Sequence, residues 1–183
     1  MNTFNYYYWN NVISSKNIKD INSLIKKHRD KKENKNLAAD TNKTSTVYPI
    51  KLKYLKDLLK IPMSLIIKGN RENYGYDVFD FYDEMVLNFN TYEKNQEYDW
   101  HKDADESKFV DLKLTALINV SDKNFTGGEF SLLSSKQPTS VPELDTPGSM
   151  IIFNSYILHK VNPVLNGIRK TLSIFITGPA FKW

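Results

Sequence analysis

The stretch YDWHKDAD, residues 98 to 105, holds the side chains of this sequence best suited to chemistry. His101 and Asp103 stand two positions apart, so on an extended strand they project to one side while Trp100 and Lys102 face the other. One imidazole and one carboxylate are too few ligands for a tight metal site, and a third has to come from elsewhere. The sequence has 3 histidines and no cysteine, which excludes disulfides, thiolate zinc sites and cysteine nucleophiles. Any metal is therefore held by histidine and carboxylate. His28 lies in a basic helical stretch and reads as a surface residue. His159 follows the apolar run SMIIFNSYIL, which would carry it into a core. Two histidines and a carboxylate on one face form the triad that suits ferrous iron, because adjacent coordination positions stay open. Strand parity alone also allows Asp105 as the carboxylate. An isolated HxD is more often an ordinary polar strand end, so the neighbouring residues have to decide.

Ten residues past His159 comes Arg169, opening the stretch RKTLSIFIT after an Asn-Gly turn. A guanidinium starting a core-bound strand is expensive to bury unless it meets an anion. Thr171 and Ser173 share its face, and the set makes a fork with hydroxyls that suits the far carboxylate of a dicarboxylate. Tyr92, nine residues before His101, could bring a phenol to the same carboxylate.

These side chains need a scaffold, and composition permits one. The chain has 183 residues, enough for a single domain with a substantial core. Its 40% hydrophobic and 25% charged residues are ordinary for a folded globular protein. The start, MNTFNYYYWNN, lacks a basic region followed by an apolar run, and no apolar stretch reaches membrane-spanning length. The expectation is a cytoplasmic protein with no membrane partner. Net charge is +4, with much of the excess in residues 26 to 43. Acidic residues are interspersed there, so the run reads as the solvated face and tail of a helix rather than a nucleic-acid surface.

Two halves differ in pattern. Ile18, Ile21, Leu24 and Ile25 recur at helical spacing after Ser14 or Ser15 as N-cap. PIKLKYLKDLLK (49 to 60) predicts a second amphipathic helix, with Pro62 interrupting it, and MSLIIKGNREN is either helix or strand. YYYW (6 to 9) reads as a first strand whose aromatics cover part of the core. From residue 75 the period becomes two, in YDVFDFYDE, MVLNFNTYEK, DLKLTALINV, GEFSLL, SMIIFN and RKTLSIFIT, with turn residues between. Many short strands without intervening helices indicate an antiparallel double sheet. SSKQPTSVPELDTP (134 to 147) is the longest irregular connection of this half. The pair Gly127-Gly128 marks a close strand approach. The prediction is one domain over 1–183, with supporting helices to about residue 75 and a mainly β core from about 76 to 183.

TYEKNQEYDWHKD, LTALINVSDKNFTGGEFSLL and TPGSMIIFNSYILHKVNPVLNGIRKTLSIF, in this order, resemble the Fe(II)/2-oxoglutarate-dependent oxygenases, in their prolyl 4-hydroxylase-like branch. The resemblance covers about half the chain, from Met85 to Pro179. It implies a double-stranded β-helix (jelly roll) core with iron at its open mouth. His101, Asp103 and His159 match the metal ligands, and HxD spacing favours Asp103 over Asp105. Arg169 matches the residue that pairs with the cosubstrate's far carboxylate, Tyr92 one that assists there, and Thr171 falls on a position often occupied by a hydroxyl. Tyr98 matches a tyrosine beside the substrate. Where many relatives have glycine this chain has Asn95, which tolerates a positive-φ turn. The implied activity is hydroxylation of a C–H bond with Fe(II), 2-oxoglutarate and O2, with ascorbate as reductant in assays. The first substrate expected is a peptidyl proline. A free amino acid, another small metabolite or a nucleobase is the alternative, and a non-catalytic jelly-roll binding module is the alternative of another class. The loop DESKFVD and the segment 64 to 80 are the candidate lids. Trp100 reads equally as a substrate-stacking residue or a plug on the outer face of its strand.

Overall fold

The computed structural model describes residues 6–28, 42–104, 111–134 and 137–180. Strand β1 (Tyr6–Trp9) leads to helix α1 (Ser15–His28), then come β2 (Thr46–Lys51) and α2 (Lys60–Gly69). The remaining strands are β3 (Val86–Tyr92), β4 (Tyr98–His101), β5 (Leu112–Asn119), β6 (Thr126–Gly127), β7 (Phe130–Ser134), β8 (Gln137–Ser140), β9 (Met150–Asn154), β10 (His159–Val161), β11 (Val164–Asn166) and β12 (Arg169–Thr177). A six-stranded sheet runs β1-β9-β5-β12-β3-β2 and a four-stranded sheet runs β4-β10-β7-β8, with β11 and β6 as a separate pair. All these pairings are antiparallel.

The larger sheet sorts its side chains by parity. Leu114, Ala116 and Ile118 of β5, Met150 and Ile152 of β9, and Leu172, Ile174 and Ile176 of β12 pack in one core with Ile18, Ile21 and Ile25 of α1. Leu117, Ile151 and Phe153, on the other face, meet Phe130, Leu132 and Val161 of the smaller sheet. Helices thus cover the outer face, and the space between the sheets receives the opposite residue set. Ser14 caps α1 by accepting the Asn17 N–H at 3.2 Å. Lys26, Lys27 and His28 fill its last turn, where cations suit the helix dipole. Gly69 lets α2 approach the sheet, since a Cβ there would sit 2.5 Å from Ile152 Cδ1 and 2.7 Å from Trp9 Cη2.

Several expectations change. Residues 49 to 60 do not form an amphipathic helix: the first part belongs to β2, Leu52–Tyr54 is a 3-10 turn, and α2 starts only at Lys60. Pro62 sits in the first turn of α2, where a missing N–H costs little. The segment before residue 76 therefore supplies two strands, β1 and β2, as well as helices. The alternation in YDVFDFYDE is not a strand. Tyr76, Val78 and Phe81 pack on the outer core while Phe79 and Tyr82 are exposed, and Phe79 N–H donates to Thr177 O at 2.8 Å. An extended segment lying on a core shows the same period as a strand without pairing as one. The connection 134 to 147 contains β8 and a 3-10 turn at Pro142–Asp145. The edge strands β2 and β8 each contain a proline, Pro49 and Pro138. Among the described residues no helix is long and apolar enough to cross a membrane.

Ile152→Ala should lower the unfolding free energy in urea by about 2–5 kcal/mol, because the fully buried side chain fills the joint between α2 and the sheet.

Candidate active site

His101 ends β4 and His159 begins β10, and the two are directly paired across the smaller sheet. Their rings lie 4.0 Å apart between centroids. A register shift in this pairing leaves Tyr98 opposite Val161, although His101 is three residues beyond it. That irregularity lets the Tyr98 ring stack on His101, with 3.3 Å between centroids and 13° between planes. Phe153 meets His159 edge-on at 4.9 Å.

Backbone carbonyls set the histidine tautomers. Nδ1 of His101 is 2.7 Å from Asp99 O, and Nδ1 of His159 is 2.9 Å from Ile157 O. A carbonyl only accepts, so each Nδ1 carries the proton and each Nε2 keeps a lone pair. Burial, and next the neighbouring His159, push the His101 imidazole down to about 4, against the pull of Asp103, so it is neutral at ordinary pH. Both Nε2 atoms point to Asp103, at 3.9 Å from Oδ1 for His101 and 3.6 Å from Oδ2 for His159. Asp103 is held from the opposite sheet, where the Thr115 hydroxyl of β5 donates to Oδ2 at 2.6 Å. Thr115 is in turn 2.9 Å from the Ser155 hydroxyl, and the Asp103 N–H donates to Ser155 O at 3.1 Å. One ligand atom from each of His101, Asp103 and His159 lies within 4.8 Å of the others, a group that could hold a metal ion.

Arg169 and Thr171 line the same pocket, on the inner row of β12. Arg169 is 1% exposed and pairs in register with Tyr92 of β3, whose ring lies 5.4 Å from the guanidinium carbon. Its Nε and Nη2 are buried with no hydrogen-bond partner among the described residues. Burial lowers the arginine and raises the Tyr92 phenol from their ordinary values. Gly128 makes the space: it has φ +71°, and a Cβ there would come within 2.9 Å of Arg169 Cδ. Gly127 serves the close strand approach, since its Cβ would meet Pro163 O at 2.5 Å. Asn95 does adopt a positive φ of 65°.

The structure brings together His101, Asp103, His159, Arg169, Tyr92, Thr171 and Tyr98 around one pocket. Trp100 is not part of the lining and lies on the outside, under the Lys160 ammonium at 5.2 Å. His28 stacks on Tyr54 at 4.1 Å, among the supporting elements. Residues 64 to 80 do not line the pocket, and Tyr74, Tyr76 and Val78 lie against the outer core, so a lid there is not what forms. Asp105 and the loop 105 to 110 lie outside the described residues. Thr115 escaped the sequence reading, although a polar residue inside the buried run LKLTALIN was its signal. Lys43 carried none: the last residue of the run read as solvated turns into the pocket.

Residues 87–177 match the family described as the 2OG-Fe(II) oxygenase superfamily. The chain belongs to that superfamily. No curated protein matches the chain in sequence. The fold of this oxygenase is similar to that of a Pseudomonas putida prolyl-4-hydroxylase, 14% identical, with a TM-score of 0.76 over 97% of this chain and 95% of that one. It is also similar to a Trichoplax adhaerens prolyl hydroxylase in complex with a hypoxia inducible factor oxygen degradation domain peptide fragment, 16% identical, TM-score 0.70, over 96% and 84%. A viral collagen prolyl hydroxylase from Paramecium Bursaria Chlorella virus-1, as a 2OG complex, is 17% identical with a TM-score of 0.67 over 96% and 97%.

Membership implies Fe(II), 2-oxoglutarate and O2, and the residues of this oxygenase fit them. Two imidazoles and one carboxylate are a donor set for ferrous iron. The two unpartnered nitrogens of a buried arginine suit a carboxylate. Thr115→Val, which keeps the shape but removes the donor to Asp103, should weaken Fe(II) binding roughly 10- to 100-fold in an anaerobic metal titration.

Proposed function

We propose that His101, Asp103 and His159 hold Fe(II), that Arg169 with Tyr92 and Thr171 binds the far carboxylate of 2-oxoglutarate, and that the oxygenase hydroxylates a peptidyl proline. The observation that carries the reading is a buried guanidinium with unpartnered nitrogens in the same pocket as a His–Asp–His cluster. A binding module without catalysis has no use for that combination, and the family is one of oxygenases.

Bound iron with its cosubstrate and O2 supplies oxidation of a substrate C–H bond to an alcohol, with 2-oxoglutarate leaving as succinate and CO2. The chain's own part is positional. Asp99 O and Ile157 O keep both imidazoles presenting Nε2, and Thr115 keeps the Asp103 carboxylate turned toward them. Arg169 fixes the cosubstrate's distal end and so its approach to the ligand cluster. Tyr98, stacked on His101 and lining the pocket, stands where a substrate would pass. A prolyl substrate is supported by the similarity in fold to prolyl hydroxylases, one of them in complex with a peptide fragment.

Fe(II) and 2-oxoglutarate added anaerobically should give a weak visible charge-transfer band, and Asp103→Ala should abolish both the band and turnover. Arg169→Ala should raise the 2-oxoglutarate requirement by about 2–4 kcal/mol, or roughly 30- to 1000-fold. Incubation with Fe(II), ascorbate, 2-oxoglutarate and proline-containing peptides should add one oxygen atom to a peptide by mass spectrometry. Full 2-oxoglutarate decarboxylation by Asp103→Ala would remove the ligand assignment.

A further inference from the structure

Along β12 and β3 the inner rows change character. Arg169, Thr171 and Ser173 stand opposite Tyr92, Asn90 and Asn88, and all six line the pocket. Carried one step further, the same register sets Phe175 against Val86, and both are apolar. Phe175 still lines the pocket. On its other side it pairs with Thr115, the residue whose hydroxyl donates to Asp103. The floor of the site thus turns from polar to apolar level with the His–Asp–His cluster.

Phe175 belongs at the same time to a neighbouring hollow of about 170 Å³, lined also by Phe79, Tyr82, Met85, Val86 and Asp80. Phe79, Tyr82 and Val86 are 55%, 61% and 48% exposed. They are three of the eight large hydrophobic side chains exposed among the described residues, and they gather at this one hollow. Scattered exposed apolar residues are ordinary, whereas a contiguous group beside a pocket marks a contact surface. The backbone holds this group in place. Phe79 N–H donates to Thr177 O at 2.8 Å, Met85 N–H to Tyr82 O at 3.0 Å, and Leu52 N–H to Met85 O at 2.8 Å. A Cβ on Gly178 would collide with Asp77 O, so the segment before Phe79 lies tight against the end of β12. A surface fixed beforehand loses little entropy when a guest binds.

We propose that Phe79, Tyr82, Val86 and Phe175 form a substrate shelf beside the pocket, which takes an apolar side chain flanking the residue to be oxidised. The inference deepens the functional reading above and rests on its peptide substrate. Continuity through Phe175 assigns the shelf to that substrate, because a peptide lying at the cluster meets the residue that both spaces share. A cavity of about 150 Å³ accepts a benzene ring. A hollow of about 170 Å³ therefore has room for one aromatic or branched aliphatic side chain. The Asp80 carboxylate in its lining disfavours an acidic one.

Calorimetry on the protein loaded with 2-oxoglutarate and Zn(II), which has no redox chemistry, reads peptide binding without turnover. The probes are end-capped peptides with one proline between two short runs of glycine, in which phenylalanine or glutamate replaces one glycine at a time. Phenylalanine at one position should strengthen binding roughly tenfold or more over the all-glycine peptide, and glutamate there should not. Phe79→Ser and Tyr82→Ser, both at exposed positions, should each remove most of that gain. Ile61→Ser, exposed on α2, should keep it. No gain from phenylalanine at any position, or a gain that survives both Phe79→Ser and Tyr82→Ser, overturns the shelf. The oxygen-insertion assay above then still decides the prolyl reading by itself. A gain in peptides that the iron-loaded oxygenase fails to hydroxylate leaves the shelf standing and overturns the prolyl substrate. A wild-type dimer that Phe79→Ser dissociates in sedimentation, without any gain from phenylalanine, gives the shelf to a second copy and overturns it as a substrate site.

Discussion

A guanidinium buried to within 1% of complete exclusion from solvent is the constraint around which this protein is arranged. Removing such a charge from water costs several kcal/mol unless partners replace the lost hydration. Here the partners supplied by the described residues are incomplete: the Tyr92 ring lies beside the group, yet Nε and Nη2 find no acceptor among them. Glycine at position 128 clears the room, and the antiparallel pairing of β12 with β3 sets the angle. The fold is carrying a local deficit that an anionic ligand would remove, and the His–Asp–His cluster opens onto the same space.

The smaller sheet and the larger sheet contribute differently to that cluster. β4 and β10 bring the imidazoles together by direct pairing, and their tautomers are fixed by carbonyls close in sequence. The carboxylate is steadied from across the sandwich, by Thr115 and by the backbone of Ser155. Geometry at the His–Asp–His cluster therefore reports on the packing of the two sheets, which is why a hydroxyl on β5 matters to a residue after β4.

Much of this was legible from residue types and spacing. His101 and Asp103 stood out by their two-residue spacing, His159 by following an apolar run, and Arg169 by the cost of burying a guanidinium, and parity placed Thr171 and Ser173 beside the arginine. The strands β3, β5, β7, β9 and β12 followed from alternation. Other parts were hidden for physical reasons. The leucines of residues 49 to 60 satisfied a helical period although the segment bends from strand to 3-10 turn, with Leu52, Leu55 and Leu59 all reaching the core. YDVFDFYDE alternated because an extended chain lying on a core needs the same pattern as a paired strand. Lys43 looked like one charge among many, since its environment comes from a bridge to Tyr98, far along the chain. The stacking of Tyr98 on His101 depends on a register shift that no local pattern announces.

The prolines in the outermost strands have a consequence for solubility. Each removes one N–H from a strand border, Pro49 on the larger sheet and Pro138 on the smaller. On the other border of the smaller sheet, residues 42 to 44 already occupy the flank of β4. A β-rich molecule with this many strands risks stacking end to end with its neighbours, and interrupted or covered borders are a recognised physical defence against aggregation.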